Sequence, residues 1–475
     1  MDNSLASSPV LNLRDQIVGV DQLVPLLDGR LLPYINLDNA ASTPPLRPVV
    51  EAVNRLLPYY ASVHRGTGFK SRLCTVAYDQ AHEIIAHFVG ANPETNTVIF
   101  GKNTTEAINK LSYRLGVPED KVVITTQLEH HSNDLPWRGR ARVVHVRATP
   151  EGRLDEADFD AQLERYHGRI ALVAISGASN VTGFLQPIHR LARKAHAAGA
   201  KILVDAAQLA PHRQVDMKDD GDPEHLDFVA LSAHKMYAPF GTGALVGRQE
   251  AFLESGPEYR GGGTVDVVTL DEVYWAGLPD RDEAGSPNVI GAVAMAAAAQ
   301  TLMEAGMDQV AAHEEELIAY ALTRLREVPG IRIYGENDPA RASEKVGVIP
   351  FNLEGISHFL VAAILGYEGG IGVRSGCFCA HPYVVHLLQL SEAESAAWRS
   401  QMLRGDKSNM PGMARLSFGC YNTTEDVDRL VETLHCIARQ EYKGHYRLDR
   451  KSGEYLPINY TEPLNDYFLL RPTTE

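Results

Sequence analysis

Short unbroken apolar runs alternate along this chain with longer segments in which apolar residues recur every third or fourth position. The runs predict strands at Thr97 to Phe100, Val122 to Thr125, Arg142 to Val146, Ile170 to Ser176, Lys201 to Asp205 and Phe228 to Ser232. The periodic segments predict helices at Pro48 to Leu57, Val76 to Phe88, Thr105 to Leu115, Asp155 to Arg165 and Ile188 to Ala198. Strand and helix in turn is the order of an α/β fold. Polar residues capable of chemistry sit just past several strands, where open α/β sheets place their ligands.

The pattern changes after about residue 292. Residues 1–33 read as an amino-terminal segment, 34–292 as a large domain, 293–442 as a smaller α+β domain and 443–475 as a tail. The second block opens in an alanine-rich helix, Val289 to Leu302, too short and too rich in alanine to span a bilayer. It continues through strands at Ile331 to Tyr334 and Val346 to Asn352 and ends in a helix from Thr424 to Arg439. The tail has no periodicity, but Tyr467, Phe468, Leu469 and Leu470 would form an apolar patch in water and are expected to dock on the body. No repeat or low-complexity tract occurs.

Composition narrows the function. With 44% hydrophobic and 22% charged residues over 475 positions, the chain can bury a substantial core. Its 45 Lys+Arg against 60 Asp+Glu give a formal charge of −15, which argues against a nucleic-acid partner. Cys74, Cys377, Cys379, Cys420 and Cys436 are sparse and odd in number, so a reducing, cytoplasmic compartment is expected. Met1 to Arg14 is largely polar and lacks a long apolar core, so neither a secretory signal nor membrane association is expected.

The chemistry centres on Lys235. An apolar run ends in Asp205, with Gln208 shortly after it, and a second run ends in Ser232-Ala233-His234-Lys235. A carboxylate and an amine so placed suit pyridoxal phosphate, whose ring nitrogen works best protonated and whose aldehyde bonds to an amine. Isolated lysines are seldom buried, so the neighbours carry this reading. Thr105, opening a helix after a strand, offers a phosphate site or only a helix cap. His130 in Glu129-His130-His131 is placed to stack on a ring; a zinc site there is not expected, because adjacent residues of an extended chain point apart and no second ligand pair has metal spacing. Asn180 is either a polar donor or an ordinary turn residue, and Gly261 to Gly263 reads as a turn. Cys379, in Arg374-Ser375-Gly376-Cys377-Phe378-Cys379, follows an arginine that would favour its thiolate.

Taken in order, these segments resemble the class V aminotransferase superfamily, fold type I of the pyridoxal-phosphate enzymes, and most closely its Suf-type cysteine desulfurases and selenocysteine lyases. The resemblance runs from about Ile35 to Glu441 and also rests on Leu37 to Ala41, Val63 to Gly66, Glu283 to Asn288 and Arg415-Leu416-Ser417. It implies a large, mostly parallel-sheet domain with a smaller carboxy-terminal one, and pyridoxal 5′-phosphate bonded to Lys235. Asp205 would pair with the ring nitrogen, Gln208 with the phenolic oxygen, and His130 would stack on the ring and assist catalysis. Thr105, Ser232 and His234 would bind phosphate, with Ser286 reaching it from the second subunit of a homodimer. Asn180, Arg374 and Arg415 would hold the substrate carboxylate, and Cys379 would accept sulfur from L-cysteine, leaving L-alanine and a persulfide for a protein acceptor.

Three features depart from that family. Cys377 adds a thiol that either shares the persulfide or packs as a bystander, and the Cys-Phe-Cys run is similar to the molybdenum-cofactor sulfurase branch. Residues 383–414 include a helix-like piece around Ser391 to Arg404, either a lid or a surface helix. Ser286 stands where threonine is common. C–S cleavage, transamination or epimerisation of another amino acid, and a non-catalytic scaffold, are the alternative functions.

Overall fold

The computed structural model describes residues 11–470, so residues 1–10 of the polar amino-terminal stretch and residues 471–475 of the tail lie outside the described residues. Seven strands make the main sheet: β1 (Asn96–Gly101), β2 (Val122–Thr126), β3 (Arg142–Val146), β4 (Ile170–Ser176), β5 (Lys201–Asp205), β6 (Phe228–Ser232) and β7 (Gly243–Arg248). Their order is β1-β7-β6-β5-β4-β2-β3. Only β7 is reversed, lying antiparallel to both β1 and β6.

Side chains along a strand alternate between faces, and here both faces are covered. Ile202 and Val204 enter one apolar cluster while Leu203 enters the other; Val229 and Leu231 are divided in the same way from Phe228 and Ala230. A sheet buried on both sides has no polar face to break its apolar runs, which is why these strands were legible. Helices α1 (Arg47–Leu56), α2 (Phe69–Phe88), α3 (Thr104–Arg114), α4 (Glu156–Arg165) and α5 (Ile188–Ala197) accompany it. Asn103 caps α3 by accepting from Glu106 N–H, and Asp155 caps α4 by accepting from Asp158 N–H.

The alanine-rich helix α6 (Val289–Ala305) packs against α1 and α2, and its buried side chains belong to the same core as the sheet. The change of core comes later than residue 292. It falls within α7 (Met307–Leu325), whose Met307 and Val310 join the first core and whose residues from Leu317 onward join the second. That second core sits on a four-stranded antiparallel sheet, β8 (Ile331–Ile333), β9 (Val348–Leu353), β10 (Arg374–Gly376) and β11 (Met413–Ser417), in the order β8-β9-β11-β10. Helices α8 (His358–Gly369), α9 (Glu392–Leu403) and α10 (Thr424–Ala438) complete the smaller unit. Ile35 and Leu37 also join this core, and Ile35–Asn36 pairs in parallel with Ile371–Gly372, so the two units are laced together near the amino end.

The tail docks only in part. A hairpin of Tyr446–Leu448 and Tyr455–Pro457 is tied down by Glu368, which accepts from Lys443 N–H, Gly444 N–H and the Tyr446 hydroxyl. The expected docking of the aromatic run does not occur: Phe468 is 75% and Leu470 87% exposed, because the short helix Leu464–Tyr467 before them buries no residue. No single helix among the described residues is long and apolar enough to cross a membrane.

Candidate active site

Topology brings the chemistry to one edge. Asp205 and Ser232 end β5 and β6, Lys235 closes the turn Ala233–Lys235, and Thr105 lies in the first turn of α3, directly after β1. His130 and Asn180 follow β2 and β4 in the same way. With Gln208, His234, Arg374, Cys379 and Arg415 they line one cavity of about 480 Å³. Ser286 is elsewhere. It lines a second cavity of about 430 Å³ beside His64, Arg65, Gly262 and Gly263.

One half of the cavity suits a phosphorylated, aldehyde-bearing ring. Lys235 is buried, which pushes its pKa down to about 8 against the opposing attraction of Asp205. Burial raises the Asp205 carboxyl, countered by the Ala207 N–H bond to its Oδ1 at 3.0 Å and by the charge on Lys235. Lys235 Nζ donates to Gln208 Oε1 at 3.5 Å. His130 Nδ1 accepts the Ser132 backbone N–H at 3.1 Å, so the proton of its neutral ring sits on Nε2. Burial and the Lys235 charge push the His130 pKa down to about 3, and the same two causes bring His234 to about 4. At the start of α3 the Thr104 hydroxyl is buried without a partner, beside first-turn N–H groups that no helix carbonyl can reach. Thr105 Oγ1 lies 2.6 Å from Ser132 Oγ, and Ser232 Oγ 3.0 Å from His234 Nδ1. Gly243 lets β7 approach this turn, since a Cβ there would fall 2.6 Å from Asn103 Cα. An orphaned hydroxyl at a helix start, a buried amine and a buried carboxylate fit pyridoxal phosphate in kind and number.

The other half holds the thiol. Phe378 and Cys379 both take left-handed backbone angles, with φ of 52° and 54°. Three bonds hold that shape: Asn180 Nδ2 donates to Phe378 O at 2.8 Å, His131 N–H to Cys379 O at 2.8 Å and Ala380 N–H to Cys377 O at 2.9 Å. Asn180 therefore spends its amide on the loop, and its own backbone carbonyl accepts from Arg415 at 2.8 Å. Arg374 pairs with Asp38 Oδ2 at 2.7 Å, so its charge is committed there. Arg415 is buried, donates to Asp38 Oδ1 at 3.1 Å and lies 4.8 Å over the Phe378 ring. Burial lowers its pKa to about 10, opposed by Asp38, which leaves it charged at neutral pH with its Nε unpartnered.

Cys377 behaves differently from Cys379. It is buried, donates to Pro411 O at 3.0 Å, and burial pushes its thiol up to about 12, whereas Cys379 is exposed. Residues 383–414 supply no side chain to the lining of the Lys235 cavity, and helix α9 lies on the surface with no buried residue, yet it touches the residues behind the thiol. Trp398 of α9 stacks on His381 at 6.3 Å, and His381 stacks in turn on His131 at 4.8 Å, with the His381 backbone N–H donating to His131 Nε2 at 3.3 Å and His381 Nδ1 3.0 Å from the same atom. Asp38, Thr104, His131 and Ser132 were not singled out as site residues from the sequence. All four stand inside sequence motifs, but nothing in a motif says which hydroxyl is left without a partner.

A family profile described as aminotransferase class-V matches residues 35–430. A cysteine desulfurase of Haloferax volcanii is 36% identical over 417 residues, covering 86% of this chain and 90% of that protein. One of Dickeya dadantii is 36% identical over 425 residues, covering 87% and 93%. Among solved structures, the apo cysteine desulfurase of Thermococcus onnurineus superposes with a TM-score of 0.75 at 31% identity, covering 89% of this chain and 98% of that one. An Escherichia coli cysteine desulfurase in an S-sulfonic acid form gives 0.73 at 27% identity, covering 91% and 99%.

Proposed function

The chain belongs to the class-V aminotransferase family, and from that premise we propose that it is a pyridoxal-phosphate-dependent cysteine desulfurase that takes sulfur from L-cysteine and holds it on Cys379. The observation that carries this reading is the single cavity in which a buried amine, Lys235, and an exposed thiol, Cys379, face the same space. When bound, pyridoxal phosphate supplies an aldehyde for the amino group and a ring that delocalises the electron pair left at the α-carbon.

The residues do the rest. Thr104, Thr105, Ser232 and His234 would hold the phosphate, and Asp205 the ring nitrogen. His130, neutral with its proton on Nε2, would lie against the ring without adding charge. Lys235, with its pKa near 8, carries a substantial neutral fraction at mildly alkaline pH, so it can accept the α-proton and later return one. Arg415, fixed through Asp38, would meet the substrate carboxylate. The Cys379 thiolate attacks the substrate sulfur: the carbon–sulfur bond breaks, a sulfur–sulfur bond forms, and the β-carbon takes a proton to give L-alanine.

A homodimer completes the reading. Ser286 lies outside the Lys235 cavity, in a neighbouring cavity edged by Gly262 and Gly263, which suits a residue that serves a second subunit. The five free cysteines support a cytoplasmic setting, and the exposure of Cys379 suits delivery of sulfur to a protein acceptor. Incubation with L-cysteine should yield L-alanine and one sulfur equivalent on Cys379, and the Cys379→Ser variant should yield neither. Release of a keto acid and ammonia instead would point to lyase chemistry.

A further inference from the structure

Three side chains converge at the opposite edge of the sheet from Lys235. His225 and Asp227 lead into β6, whose other end leads to Lys235, and His196 lies on the last turn of α5. His196 Nε2 is 3.0 Å from Asp227 Oδ2 and His225 Nε2 is 3.7 Å from Asp227 Oδ1. One ligand atom from each residue lies within 4.8 Å of the other two.

The far side of each ring is fixed. His196 Nδ1 sits 2.9 Å from Pro223 O and His225 Nδ1 2.7 Å from Asp222 O. A carbonyl only accepts, so both Nδ1 atoms carry protons and both Nε2 atoms are turned toward the carboxylate. A second donor, the Ile202 N–H at 2.8 Å, fixes Asp227 Oδ2. This is the outer arrangement of metal-ligating histidines: a backbone carbonyl sets the tautomer and the ring angle.

Charge makes the cluster unusual. The two rings stack with centroids 4.2 Å apart. A metal ion at the point where both Nε2 atoms face Asp227 would meet two ring lone pairs and a carboxylate oxygen, whereas a proton on one Nε2 would bridge only a single ring to the carboxylate. Among the described residues, the Asp227 carboxylate has no ion-pair partner other than these two rings. Arg248 gives no relief, because it is paired with Asp220 at 2.7 Å.

We propose that His196, His225 and Asp227 bind one divalent transition-metal ion, of the zinc class, tying the end of α5 to the edge of the main sheet. Two imidazoles and a carboxylate leave a fourth tetrahedral position for water. The site takes no part in the reaction at Lys235, and its ligands are too scattered for motif spacing to reveal it: His196 lies on a helix, and the other two precede a strand.

Calorimetric titration of Zn²⁺ into the chelator-treated holoenzyme, its exposed thiols first blocked with iodoacetamide, tests the site. One equivalent should bind, and His196→Gln and His225→Ala should each weaken binding by about tenfold or more. Both variants, unblocked, should still form alanine from L-cysteine at the wild-type rate. X-ray absorption of the wild-type zinc complex gives a reading that does not depend on variant folding, and should show two imidazoles with no sulfur neighbour. Binding weaker than roughly 100 µM, binding that survives both substitutions, or sulfur ligation would overturn the proposal.

Discussion

Arg415 donates to the Asp38 carboxylate across 3.1 Å, from 377 positions away in the chain. The same carboxylate takes Arg374 on its other oxygen at 2.7 Å. Asp38 is thus the counter-charge that lets a guanidinium remain in a buried position and keep one orientation. Removing it should leave Arg415 charged and unpaired. Asp38→Ala should cost about 3 kcal/mol of stability, and Asp38→Ala with Arg415→Met should recover part of that loss. Thermal unfolding of the two variants measures both effects; a single variant as stable as wild type would remove the structural role of the pair.

Lys235 makes a prediction about pH. Its folded pKa of about 8 lies below the ordinary value of 10.5, so between these two limits the unfolded chain holds a proton that the folded chain has lost. Stability of the cofactor-free protein should therefore rise with pH across that window through this group. Below about 8 the cost of the buried charge is fully present. Lys235→Met should stabilise the cofactor-free protein at pH 7 by on the order of 3 kcal/mol, and by little near pH 10.5. Denaturant unfolding at both pH values checks the sign, and a pH-independent difference would contradict it.

The two neighbouring thiols should separate cleanly. Cys377 is buried and its thiol is pushed up to about 12, while Cys379 is exposed. Iodoacetamide at pH 8 should label Cys379 and the exposed Cys436 but leave Cys377, Cys74 and Cys420 untouched, as peptide mass mapping would show. Cys377→Ala should keep desulfuration within about twofold of wild type, because a surface thiol, not a buried one, does the chemistry.

The Trp398–His381–His131 stack should act through the Cys379 loop. His131 N–H holds Cys379 O at 2.8 Å, and Phe378 and Cys379 occupy backbone angles that need such support. His381→Ala should slow persulfide formation by about tenfold, a loss of about 1.4 kcal/mol of transition-state stabilisation. Cofactor absorbance should stay unchanged. A parallel loss of cofactor would show that the stack supports the whole cavity instead.

How much of this was legible depends on where each signal lies. The parallel strands β2, β4, β5 and β6 announced themselves because burial on both faces made them largely apolar runs, and Asp205 and Lys235 stood out as charges closing such runs. The reversed strand β7 did not, since Gly243-Ala244-Leu245-Val246-Gly247-Arg248 carries a glycine near each end, and the value of the first is its closeness to Asn103. The alanine helix was legible as buried, but its partner was not: helix α6 joins the first core through contacts with α1 and α2 that lie far back in the chain. Asp38 and Thr104 needed coordinates, because a counter-charge and an orphaned hydroxyl are relations between distant parts of the chain. The exposed Phe468 and Leu470 show the opposite case, in which an apolar run promises docking that this chain alone does not supply.

The most direct measurement of the central claim is a single turnover. The holoenzyme is mixed with less than one equivalent of L-cysteine, quenched, and digested for mass spectrometry of the peptide containing Cys377 and Cys379. One sulfur atom should be found on Cys379 for each L-alanine formed, and none on Cys377. Alanine without added sulfur on Cys379, or sulfur on Cys379 in a Lys235→Ala variant at the wild-type rate, would contradict the account.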